Sequence, residues 1–142
     1  MIAKLAAAIA VGTLALVPVA DAAKQRVKAP KAGQYNGYPR GKPLSLYISG
    51  KTIQLAAFSF KCDSTGGRTS LNAIALKKTR KGYRFAFSGR GSITFDDGRT
   101  DENGKISISG LFTRSGKKVT GVFRVRSPQC HDTGNVKWSA KR

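Results

Sequence analysis

From Leu44 onward, apolar residues recur at every second position, in short runs separated by Gly, Asn, Asp, Pro and Ser. LSLYIS sets Leu44, Leu46 and Ile48 against Ser45, Tyr47 and Ser49. In TIQLAAFSFKC, Ile53 and Leu55 share one phase, and Phe58, Phe60 and Cys62 share the other. That change of phase predicts a β-bulge at Ala56-Ala57. GYRFAFSG aligns Tyr83, Phe85 and Phe87; SITF aligns Ile93 and Phe95; KISISGLFT aligns Ile106, Ile108 and, through Gly110, Phe112. KVTGVFRVR aligns Val119, Phe123 and Val125, and NVKWSAK aligns Val136, Trp138 and Ala140. TSLNAIALKK reads as a strand of mixed pattern. Side chains on a strand alternate between its faces, so this period is incompatible with helices. About eight short strands with closely spaced turn signals predict an all-β fold, an antiparallel β-sandwich or a partly closed barrel. One face of the sheet is expected to be dry and the other wet.

The segment before the strands reads differently. MIAKLAAAIAVGTLALVPVADAA has a charged start, an apolar run and Ala20-Asp21-Ala22, the order of a secretory signal peptide over residues 1–22. Cleavage is expected after Ala22, with Ala23 as the next candidate. The run from Leu5 to Ala20 is short for a membrane span, and no second apolar run follows it. The chain is therefore expected to be secreted, without stable membrane insertion after cleavage. Residues 23–43 read as a basic, Pro/Gly-rich tail and turn region, with Tyr35 and Tyr38 as docking residues, and 44–142 as a single all-β domain.

Export places Cys62 and Cys130 in an oxidising compartment, where a pair of cysteines predicts one intrachain disulfide. Each cysteine opens the pattern Cys-x-x-Thr-Gly, in Cys62–Gly66 and in Cys130–Gly134. Two similar strand ends, each closed by a Thr-Gly turn and joined by the bridge, would explain the echo.

The chain holds 26 Lys plus Arg but only seven Asp plus Glu, for a net charge of +19. Asp96, Asp97, Asp101 and Glu102 fall together in FDDGRTDENG. This stretch lies between SITF and KISIS, and Asp97-Gly98 and Asn103-Gly104 are turn dipeptides, so it reads as a solvated hairpin loop screened by Arg99 and Lys105. An EF-hand register fails: starting at Asp97 puts Arg99 at position 3 and Glu102 at position 6, where an oxygen ligand and Gly are needed. Two carboxyls on one such loop are also poorly fixed for glycoside hydrolysis. No metal or other cofactor is expected.

His131 is the single histidine, between Cys130 and Asp132. Neighbours along a strand point to opposite sides, so this run is no catalytic triad, and a disulfide would consume the nucleophile. No P-loop, G-x-S-x-G or H-E-x-x-H is present. No catalytic residue is assigned. A small secreted hydrolase would have to use Asp63, Asp132 and His131 around the bridge.

A surface this basic attracts polyanions. Lys61, Arg84, Arg124, Arg126, Lys137 and Lys141 fall on the wet face and are the candidate polyanion-binding residues. Spread over nearly every strand, they suggest diffuse attraction. The Tyr35-x-Gly37 start, the FSFKC strand, the ISISGLFT and KVTGVFRV pair, and the ending Cys130 … Trp138-Ser139-Ala140-Lys141-Arg142 resemble small secreted β proteins of unknown function from high-GC Gram-positive bacteria. The resemblance implies export and an all-β fold, and no chemistry. The expected role is a secreted, non-enzymatic protein, retained at the cell wall, that associates with teichoic acid, nucleic acid or acidic polysaccharide. The alternatives are the hydrolase above or a module that binds a protein partner through exposed aromatics.

Overall fold

The alternation closes on itself. A computed structural model describes residues 26–142, so the expected signal peptide 1–22 lies outside the described residues. The strands are β1 (Gly33–Gly37), β2 (Leu44–Ser49), β3 (Thr52–Lys61), β4 (Gly66–Ala75), β5 (Lys77–Lys78), β6 (Tyr83–Phe95), β7 (Thr100–Phe112), β8 (Lys118–Ser127), β9 (His131–Asp132) and β10 (Val136–Lys141). Strands β1, β2, β3, β4, β6, β7, β8 and β10 form a closed eight-stranded antiparallel barrel, and the two-residue strands β5 and β9 hang on β6 and β8. Chain neighbours are sheet neighbours, and β10 seals the ring by pairing with both β8 and β1. Closure leaves no sandwich.

The alternation separates a packed interior from a wet exterior. Leu44, Leu46 and Ile48 of β2, Ile106 and Ile108 of β7, and Val119, Phe123 and Val125 of β8 are all buried inside. Large interior side chains lie over interior glycines, which is how a small barrel fits its taper. A Cβ on Gly67 would meet the Phe60 ring at 2.9 Å, one on Gly104 would meet Ile93 at 2.2 Å, and one on Gly110 would meet the Phe85 ring at 2.6 Å. The Phe85 and Trp138 rings themselves lie 6.2 Å apart. The barrel is therefore filled by its own side chains.

Four local readings change. Gly33–Gly37, in the segment read as tail and turns, is a strand of the barrel, and its Tyr35 is fully buried. The β3 bulge sits at Gln54, where the register passes from Tyr47 opposite Leu55 to Ile48 opposite Ile53, so Ala56 rather than Leu55 faces inward with Phe58. GYRFAFSG and SITF are one strand: Tyr83, Phe85, Ile93 and Phe95 keep a single inward phase, and the register shift beside Gly91 and Ile93 places the extra residue on the facing strand β7. Strand β7 begins at Thr100, so only Asp96 to Arg99 turn the chain and Asn103-Gly104 lies within the ladder, Gly104 opposite Gly91. The two facing glycines leave room on the inner face for the Ile106 and Ile93 side chains.

Residues 26–32, read as tail, cross one mouth of the barrel. The Lys28 amide donates to the Arg114 carbonyl at 2.8 Å, and Pro30 is buried. The Tyr35 hydroxyl donates to the Gly116 carbonyl at 2.8 Å, and its ring meets Phe112 edge-on at 5.4 Å. At the opposite mouth, the Cys62–Cys130 disulfide joins the β3–β4 connection to the segment that follows β8. The cysteine echo is partly structural: Thr65 and Thr133 each turn a hydroxyl to the carbonyl of the following glycine.

Candidate functional site

An up-and-down barrel sends alternate connections to opposite mouths, so the placement of charged residues in loops decides the polarity of the whole. The mouth crossed by residues 26–32 gathers Lys51 of the β2–β3 turn, Lys77, Lys78, Arg80 and Lys81 between β4 and β6, and Arg114, Lys117 and Lys118 between β7 and β8. Arg26, Lys28 and Lys31 arrive with the crossing segment, and Lys141 and Arg142 with the end of β10. All of these side chains are exposed. No described Asp or Glu lies at this mouth: Asp63, Asp96, Asp97, Asp101, Glu102 and Asp132 all sit in or beside the connections at the disulfide mouth. The loops set this segregation, and the strands alone do not reveal it.

Within the basic mouth, Lys118 stands directly opposite Lys141 across the β8–β10 ladder. Like charges so placed destabilise a sheet. An open groove of about 980 Å³ runs between the crossing segment and the loops, lined by Arg26, Val27, Lys78, Thr79, Arg80 and Arg114.

The six residues expected to meet polyanions do not form one site. Arg124 and Arg126 lie on β8, in a groove on the side of the barrel with Arg90 and Lys105. Arg84 and Lys137 line two neighbouring grooves that share Thr120, Gly121 and Val122. Lys141 belongs to the basic mouth, and Lys61 ends β3 near the disulfide. The residues missed are those of the mouth loops, which the alternation did not group because they lie outside it.

Four of the acids, Asp63, Asp97, Asp101 and Asp132, make local hydrogen bonds. Asp97 accepts from the Arg99 amide at 3.0 Å and from its side-chain Nε at 2.8 Å, and these bonds hold its carboxyl below the usual carboxylate range. This is the screening expected of a turn. Asp132 takes the Arg124 guanidinium on both oxygens and the Gly134 amide on Oδ1, and the Arg124 bonds above all depress its carboxyl strongly. Asp63 reaches His131, with Oδ2 3.2 Å from Nδ1, but both side chains are about three-quarters exposed. The bridge thus brings Asp63 to His131, while Asp132 faces Arg124. Five of the surface grooves among the described residues have no Asp, Glu or His131 in their lining.

Among the described residues, no group of three or more His, Cys, Asp and Glu is arranged to hold a metal ion, and no helix is long and apolar enough to cross a membrane. No protein-family model, no curated protein and no solved structure matches the chain.

Proposed function

We propose that this protein is a secreted, non-enzymatic adsorption module that attaches to anionic envelope or extracellular polymers through the basic mouth of its barrel. One observation carries the reading: exposed lysines and arginines from three loops, the crossing segment and the end of β10 converge on one mouth with no described Asp or Glu among them. A surface of a single sign attracts a polyanion at long range and releases its counterions on contact. Three covalently continuous loops held by a closed barrel keep these charges facing one way. The Cys62–Cys130 bridge supports an oxidising compartment, as export requires.

The test is retention on immobilised poly(glycerol phosphate) and on DNA over a salt series. Retention should fall steeply as salt rises, because each neutralised phosphate releases a counterion. Exchanging Lys77, Lys78, Arg80 and Lys81 for Gln should weaken it and flatten the salt slope, whereas Lys61→Gln should change little. Retention that is equal at low and high salt would remove the electrostatic mechanism. A four-site variant that binds as well as the natural chain would remove the basic mouth as its seat.

A further inference from the structure

A second cationic feature lies on the side of the barrel. Arg90 of β6 pairs in register with Lys105 of β7, and Lys105 with Arg126 of β8. Three cations therefore stand in one row across three adjacent strands, all pointing outward and exposed. Strands lie about 4.8 Å apart, so the outer two are rooted about 10 Å from each other, and their long side chains reach a common point. The next row toward the basic mouth runs Ser88, Ser107, Arg124. These two rows border a groove of about 480 Å³.

Cross-strand rows of like charge cost stability, and a glutamate in place of Lys105 would relieve the repulsion. The surroundings offset the row only at its Arg126 end, where Asp132 interacts electrostatically with the guanidinium. Asp132, the register partner of Arg126, gives both carboxylate oxygens to Arg124. Arg90 is fixed by a bond from Nη1 to the Asn103 carbonyl at 3.0 Å, which orients the guanidinium and leaves its charge uncompensated. Two hydroxyls, Ser88 and Ser107, stand beside the cations as further donors.

We propose that this groove binds a phosphate group, free or as a monoester. Its donors outnumber what a carboxylate's two oxygens accept in one plane, whereas a phosphate monoester offers three terminal oxygens and a charge near −2. Arginine forks at both ends of the row match a tetrahedral oxyanion, with Lys105 as a point charge between them. This site lies on a different face from the basic mouth and does not rest on the adsorption reading.

The experiment is an amide NMR titration of the purified protein at constant ionic strength with inorganic phosphate, glycerol phosphate and sulfate. Saturable shifts are expected at Ser88, Arg90, Lys105, Ser107 and Arg126 with both phosphates, and weaker ones with sulfate, whose oxygens are less basic hydrogen-bond acceptors. Lys105→Gln with Arg126→Gln should weaken phosphate binding roughly tenfold or more, the loss expected of charge-assisted bonds. If that double variant does not fold, Lys105→Gln alone carries the test. Exchanging Lys77, Lys78, Arg80 and Lys81 for Gln should leave the shifts unchanged, which separates this site from the mouth. Tighter binding of glycerol phosphate than of inorganic phosphate assigns an esterified ligand, and equal binding assigns free phosphate; either result supports the site. Shifts that do not saturate, that sulfate reproduces in full, or that persist in the double variant overturn it.

Discussion

Trp138 stands directly opposite Gly121 across the β8–β10 ladder, and its indole occupies the space where a side chain at 121 would be. A Cβ added there would come within 2.7 Å of the indole and 1.9 Å of the Ser109 carbonyl oxygen. The glycine is thus required by packing, on an extended strand, and not by an unusual backbone angle.

Gly121→Ala should therefore destabilise the barrel by about 3 kcal/mol, the scale of an overpacked core. Gly98 provides the contrast. It has open space around its α-carbon but a φ of 89°, so Gly98→Ala meets only backbone strain, about 1 kcal/mol. Urea unfolding of the two variants compares them directly. If Gly98→Ala proved the more damaging, the packing account of Gly121 would be wrong.

Removing the disulfide should cost more than either glycine change. Cys62 and Cys130 are 68 residues apart in sequence, and loop entropy gives roughly 4 kcal/mol for a closure of that length. Unfolding midpoints of the native protein with and without reductant measure it. A reduced protein of unchanged midpoint would show that closure of the barrel alone holds the two connections together.

Tyr35 gives the fold an alkaline limit. Burial raises its phenol above the ordinary value, with the positive charge of Arg142 offsetting part of the effect. A group with a raised folded pKa contributes fully below its unfolded value, near 10, and loses that contribution as pH climbs through the folded value. Spectrophotometric titration should find one phenol that ionises late, absent in Tyr35→Phe. The same variant loses the bond to the Gly116 carbonyl and should be about 1 kcal/mol less stable at neutral pH.

Asp132 works in the opposite direction. Arg124 and the Gly134 amide hold its carboxyl well below the usual range, so its contribution is present above the unfolded value, near 4, and fades as pH falls toward the depressed one. Asp132→Asn should flatten the acid side of the stability curve, with little change in the alkaline side. Thermal midpoints measured from pH 2 to pH 7 test this, and an unaltered acid limb would discount the ion pair.

The interior of this barrel was largely written in its alternation. Leu44, Leu46, Ile48, Phe85, Val136 and Trp138 are buried as their period requires, and the two cysteines of Cys-x-x-Thr-Gly are bridged. Tyr35 was not legible as core, because GQYNG offers one apolar side chain among turn formers, and its burial depends on the partners that β2 supplies. The bulge at Gln54 was misplaced because Leu55 and Ala56 are both apolar, and only the pairing chooses between them. The basic mouth was hidden for a different reason. Its lysines and arginines are scattered through the sequence and meet only because successive hairpins alternate between mouths, a property of topology rather than of any motif. The row Arg90, Lys105, Arg126 depends likewise on register, which a one-residue slip would dissolve.

Closure has one thin seam. Strands β1 and β10 share a single register pair, Asn36 with Lys141, and Gly37 lies so close to the Ser139 carbonyl that a side chain could not fit between them. A ring of strands offers no template for another chain, but a ring opened at its weakest joint offers two. The seam is the place where opening would bare strand edges, and the bonds from Lys28 and Tyr35 to the Arg114 and Gly116 carbonyls tie the β1 side of that seam to the β7–β8 connection.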